Sequence, residues 1–131
     1  MRTVVRAKTT AATLVAALLA SLGTINPALA QDESLSELMA EGRPLYQDNC
    51  AACHGDRGQG TGTAPALDGN VNLESRPLII NQVLWGSSEH GMPPFADVMT
   101  DREIAAVTSF VRNAWENEFG IVFPRSVELR R

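Results

Sequence analysis

Cys50-Ala51-Ala52-Cys53-His54 holds both cysteines of the chain and one of its two histidines. Cysteines three apart close too small a loop to staple a fold. Followed directly by histidine, they form the C-x-x-C-H pattern of haem attachment. Two thiols add across the two vinyl groups on one edge of the porphyrin, and one turn of chain spans those vinyls. The adjoining His54 imidazole then comes under the ring as an axial iron ligand. Ala51 and Ala52 are too small to obstruct the ring. A disulfide redox site wants a βαβ context, which is not visible, and a structural zinc wants further Cys or His ligands. Only His90 remains.

Iron has a second axial face, and the chain beyond residue 30 offers it Met39, Met92, Met99 and His90. Met92 stands in His90-Gly91-Met92-Pro93-Pro94-Phe95. A glycine and two prolines make this a stiff, non-helical loop, able to hold a thioether at a fixed point. Met99 precedes a helix start and reads as packing. Met39 lies in a polar stretch ahead of Cys50. Met92 is the expected sixth ligand and His90 the weaker candidate.

These residues resemble the class I c-type cytochromes, over roughly residues 44–115. The resemblance rests on Tyr46-x-x-x-Cys50-Ala-Ala-Cys53-His54-Gly55, Pro65-Ala66-Leu67, Gly91-Met92-Pro93-Pro94-Phe95 and Thr100-Asp-Arg-Glu103-Ile104, in that order. It implies an all-α fold of three to four helices around one haem c, with His54 and Met92 as metal ligands. The expected function is transfer of one electron, without catalysis. The resemblance also implies that the Pro65 carbonyl receives the second ring N–H of His54, making the imidazole more basic. The last helix is then expected to cross the first near Tyr46 and Phe110.

The elements that must position these residues can be read in outline. Pro44 suits the first turn of a helix ending near Ala52. Gly55, Gly58, Gly60 and Gly62 mark a loop, expected to bring backbone close to the haem edge, after which Pro65 and Leu67 return the chain to the His54 side. Ser75 can cap a helix with Pro77 in its first turn, ending at Gly86. Its Trp85 is expected to donate to a haem propionate. Thr100-x-x-Glu103 is a capping box, and the helix it opens carries Ile104, Val107, Val111 and Ala114 as one apolar stripe.

The chain ends complete the reading. Arg2, Arg6 and Lys8, an apolar run from Ala11 to Leu22, and Ala28-Leu29-Ala30 read as a signal peptide expected to be cleaved after Ala30, with an uncleaved membrane anchor as the alternative. The apolar run is shorter than the roughly 20 residues of a spanning helix. The expected division is signal peptide 1–30, acidic leader 31–43, cytochrome domain 44–116 and a C-terminal extension 117–131 on the domain or a partner. Beyond Ala30, eight arginines against fifteen acids leave a formal charge of −7. Nucleic acid is thereby disfavoured, and a redox partner with a basic docking patch is expected in the periplasm. The stretch Arg112–Asn117 and the tail are similar to cytochrome subunits that serve periplasmic dehydrogenases. A dehydrogenase subunit or a terminal oxidase is therefore an expected partner, and a fixed subunit stands beside a free shuttle. The alternative is a haem enzyme or gas sensor, which needs a labile sixth ligand.

Overall fold

The computed structural model describes residues 27–131. These form five α-helices: α1 (Pro27–Asn49), α2 (Ala51–His54), α3 (Arg76–Trp85), α4 (Asp101–Asn113) and α5 (Pro124–Glu128). Short 3-10 turns cover Val71–Glu74 and Ser88–His90. Among the described residues there is no β-strand, only an isolated bridge between Ser87 and Met92. The architecture is the expected all-α one.

The first helix departs from expectation. It does not open at Pro44; it runs through the acidic stretch 31–43 and past Pro44 to Asn49, and Ala51–His54 is a separate turn. Proline removes an internal hydrogen bond, so something must compensate. Leu38, Gly42 and Tyr46, four residues apart, form a buried stripe against α4, while the Pro44 ring is exposed. At Gly42 the helices approach so closely that an added Cβ would lie 2.1 Å from the Ala106 carbonyl oxygen. Arg102 of α4 donates to Glu41 at 2.9 Å and to Glu37 at 2.8 Å. Packing along this face outweighs the local cost of proline. The expected signal segment falls almost wholly on residues outside the described ones. Among the described residues no helix is long and apolar enough to cross a membrane.

Helix α4 is the centre of the molecule. Thr100 and Glu103 close the capping box in both directions. Residues 104–112 are all buried, so α4 is enclosed on every side rather than along one stripe. Tyr46 and Phe110 meet with ring centroids 5.6 Å apart where α1 crosses α4, and Trp115 stands edge-on to both.

Helix α3 starts and stops where proline and glycine dictate. The Ser75 side chain makes no cap bond, however; its backbone carbonyl accepts from Ile79 N–H at 3.1 Å instead. In the glycine loop Gly55, Gly58 and Gly60 have positive φ and close protein contacts, whereas Gly62 has open space around it. A Cβ at Gly58 would strike the Trp115 ring at 2.5 Å. Residues 117–131 lie against α4, with Val122 and Val127 fully buried.

Candidate functional site

Cys50 stands between the long helix and the next turn, Ala51–His54, which is set by hydrogen bonds from Cys53 N–H and His54 N–H back to the Cys50 carbonyl. Ala51 is buried beneath this turn, while Cys50 and His54 are half-buried and Cys53 is exposed. The Thr61 hydroxyl donates to the Cys53 carbonyl at 2.7 Å, and Gly60 N–H to the His54 carbonyl at 2.7 Å. The loop after the motif therefore folds back and fixes it.

His54 Nδ1 lies 2.9 Å from the Pro65 carbonyl oxygen. A carbonyl only accepts, so Nδ1 carries the proton and Nε2 keeps the lone pair. That is the tautomer a metal ligand needs, with its ring orientation fixed from behind. Burial, and then the neighbouring Cys53, push the Cys50 thiol up to about 11. A thiol–disulfide redox site depends on a lowered thiol pKa, so this environment speaks against that reading of the two cysteines.

Met92 is held from the end of α3. Ser87 N–H donates to the Met92 carbonyl at 2.9 Å, and Met92 N–H to the Ser87 carbonyl at 3.0 Å. Three and four residues on, Phe95 N–H and Ala96 N–H donate to the last-turn carbonyls of Val83 and Leu84. Gly86 makes this approach possible. Its φ is +67°, and a Cβ there would sit 2.4 Å from the Met92 carbonyl oxygen. Loop stiffness was legible in Gly91, Pro93 and Pro94; the anchoring of the loop to α3 was not.

One cavity of about 680 Å³ brings these groups together. Cys50, Cys53, His54, Pro65, Leu67 and Met92 all line it. Its remaining wall is largely apolar, supplied by side chains such as Ile79, Val83, Phe95 and Val107. Trp85 is not among the lining residues; its side chain is 55% exposed at the end of α3. His90 lies on the rim, with Nδ1 2.9 Å from the Ser87 hydroxyl. Met99 is buried in the core, as its sequence setting suggests, and Met39, placed by sequence only in a polar stretch, packs against that core. Sequence reasoning missed Gln82, whose amide Nε2 lies 3.3 Å from Met92 Sδ within the same cavity. The available signal was a polar side chain interrupting the apolar run of α3.

Residues 37–111 match the family described as cytochrome c oxidase, cbb3-type, subunit III. The chain belongs to the class I c-type cytochromes. Over 81 residues this cytochrome is 37% identical to the cbb3-type cytochrome c oxidase subunit FixPc of Rhizobium leguminosarum bv. viciae, a match covering 58% of this chain and 28% of that protein. Over 88 residues it is 33% identical to the cytochrome c subunit of the quinone alcohol dehydrogenase of Gluconobacter oxydans, covering 58% of this chain and 18% of that protein. A cbb3-type oxidase subunit CcoP of Azospirillum brasilense is 28% identical over 80 residues, 27% of its length. The cytochrome thus spans less than a third of each of these relatives.

Membership implies haem c, and the residues fit it. The cavity is of cofactor size and walled by apolar side chains. It offers two thiols beside an imidazole of the correct tautomer, and a neutral sulfur donor from a different element. That donor set suits a haem iron; among the described residues no three His, Cys, Asp or Glu side chains are grouped as a structural zinc would require, although His90 lies on the rim.

Proposed function

We propose that this cytochrome is an exported electron carrier holding one haem c through Cys50 and Cys53, with His54 and Met92 as its axial ligands. The haem, when bound, supplies a one-electron ferric/ferrous couple. The observation that carries the reading is the shared cavity, in which an anchored Met92 thioether joins the C-x-x-C-H residues.

Each residue has a defined task. Cys50 and Cys53 make the attachment irreversible. His54, polarised by Pro65, is the basic nitrogen ligand. Met92 is a soft, neutral donor, and methionine paired with histidine raises the potential. Leu67, Ile79, Val83 and Phe95 exclude water. With His54 and Met92 both given to the iron, a bound haem would offer no open site to a substrate, which would separate a carrier from a haem enzyme or gas sensor.

The leader 31–43 extends α1 ahead of the haem-holding unit, 44–116, and the extension 117–131 closes over α4. Cleavage after Ala30 releases the chain to the periplasm and leaves Gln31–Asn49 of α1. The resulting charge of −7 favours a redox partner with a basic docking face. The named relatives point to a dehydrogenase or a terminal oxidase as that partner, with this chain as shuttle or as cytochrome subunit.

Intact mass under denaturing conditions tests the attachment and the processing together. The expected mass is that of Gln31–Arg131 plus one haem, with the haem increment lost in a C50A/C53A variant. Haem that separates on denaturation would contradict the covalent reading, and a retained residue 1–30 would contradict cleavage.

A further inference from the structure

Gln82 is half-buried on α3, one of the polar side chains facing the cavity, and its Nε2 stands 3.3 Å from Met92 Sδ. A thioether only accepts hydrogen bonds, so the amide nitrogen is the atom that meets it. The contact joins two elements: the helix, and the loop that returns beside it. It also reaches the one part of Met92 that the backbone leaves free. The Ser87–Met92 bridge fixes the main chain. Three rotatable bonds still separate that bridge from the methyl end of the side chain.

We infer that Gln82 is a positioning residue for Met92, holding one lone pair of its sulfur and leaving the other for the metal. The inference rests on the reading of Met92 as axial ligand. A thioether sulfur has two lone pairs, and which one faces the metal is otherwise open to rotation of the side chain. An N–H on one of them selects the other. The same bond draws electron density from sulfur and makes it a weaker donor. A weaker donor stabilises the ferric state less, so the bond favours the ferrous form. Gln82 therefore acts twice, on the geometry of the ligand and on its donor strength, without itself touching the iron.

The test uses the haem-loaded protein with Gln82→Leu, which keeps most of the side-chain bulk and loses the donor, and Gln82→Ala as a second variant. Met92→Ala serves as the reference for loss of the ligand. Three readouts are taken: the thioether-to-iron charge-transfer band of the ferric protein, the midpoint potential, and the rate at which carbon monoxide enters the ferrous protein. Both Gln82 variants are expected to keep a helical far-UV spectrum, to lower the potential, and to admit carbon monoxide about tenfold faster. The Met92→Ala protein is expected to lose the band altogether. If it does, and the Gln82 variants match the parent in potential and carbon monoxide rate, Gln82 only fills space and the inference fails. A band that survives in Met92→Ala would instead overturn the ligand reading, and the inference with it.

Discussion

At the scale of single residues, what matters is how few rotational freedoms the reactive atoms keep. His54 is fixed by the Pro65 carbonyl, and the motif turn by Thr61 and Gly60. Met92 is fixed through Ser87 and depends on Gly86 having no side chain. Gly86→Ala combines a positive φ with a Cβ driven into the Met92 carbonyl. It is expected to cost about 1–3 kcal/mol in urea unfolding and to let carbon monoxide reach the ferrous iron. Unchanged stability and exclusion of carbon monoxide would show that the Met92 loop does not depend on that close approach. The ligand candidates were legible because they are rare residue types in diagnostic spacing. Gln82 was legible only as a polar side chain in the apolar run of α3; its contact with Met92 was not, since that depends on which loop packs against the helix. Trp85, for which core packing was the other reading, is 55% exposed and so is not a core residue.

At the scale of elements, the capping box of α4 is the clearest agreement between sequence and structure, and it has a pH signature. The Thr100 backbone N–H, and then its hydroxyl, hold the Glu103 carboxyl below its ordinary value of 4.5. A carboxyl depressed by folding stabilises the native state above that ordinary value. The contribution fades as pH falls through the lower folded value. Glu103→Ala is therefore expected to be less stable than the parent near neutral pH, with the gap closing in acid; unfolding curves at pH 7 and pH 3 check this. A gap of constant size would mean that the charge is irrelevant to the cap. The α1–α4 crossing was much less legible. Gly42 and Pro44 both suggested irregular chain, because local preference disfavours each inside a helix. The stripe Leu38, Gly42, Tyr46 explains the outcome: glycine is needed for helix contact, and proline sits on the solvent side. Gly42→Ala is expected to destabilise the fold by about 1–3 kcal/mol through overpacking at Ala106, measured by thermal or urea unfolding. An alanine that stabilised the protein, as it would in an isolated helix, would contradict this close crossing.

At the scale of the whole molecule, α4 is the beam on which the rest is hung. Arg112, 1% exposed, donates to the carbonyls of Leu73, Glu74, Phe119 and Gly120 and so joins the cavity wall to the C-terminal extension. Burial lowers its pKa, yet four carbonyl acceptors make the buried guanidinium tolerable. Asn117 ties the same extension to Leu67 beside the His54 side of the cavity. Arg131 reaches the carbonyls of Ala96 and Met99, just beyond the Met92 loop. The extension thus braces the chain that follows each of the two proposed ligands, His54 and Met92. None of this could be read from a tail of ordinary composition, because it depends on which carbonyls the fold leaves for those donors. What the assembled molecule is proposed to do is keep both axial positions of an iron filled by protein. The direct measurement is a carbon monoxide difference spectrum of the reduced, haem-loaded protein, with Met92→Ala beside it. The account predicts no spectral change in the parent and ready binding in Met92→Ala. Ready binding in the parent would mean an open or labile sixth position, and would contradict the electron-carrier reading in favour of catalysis or gas sensing.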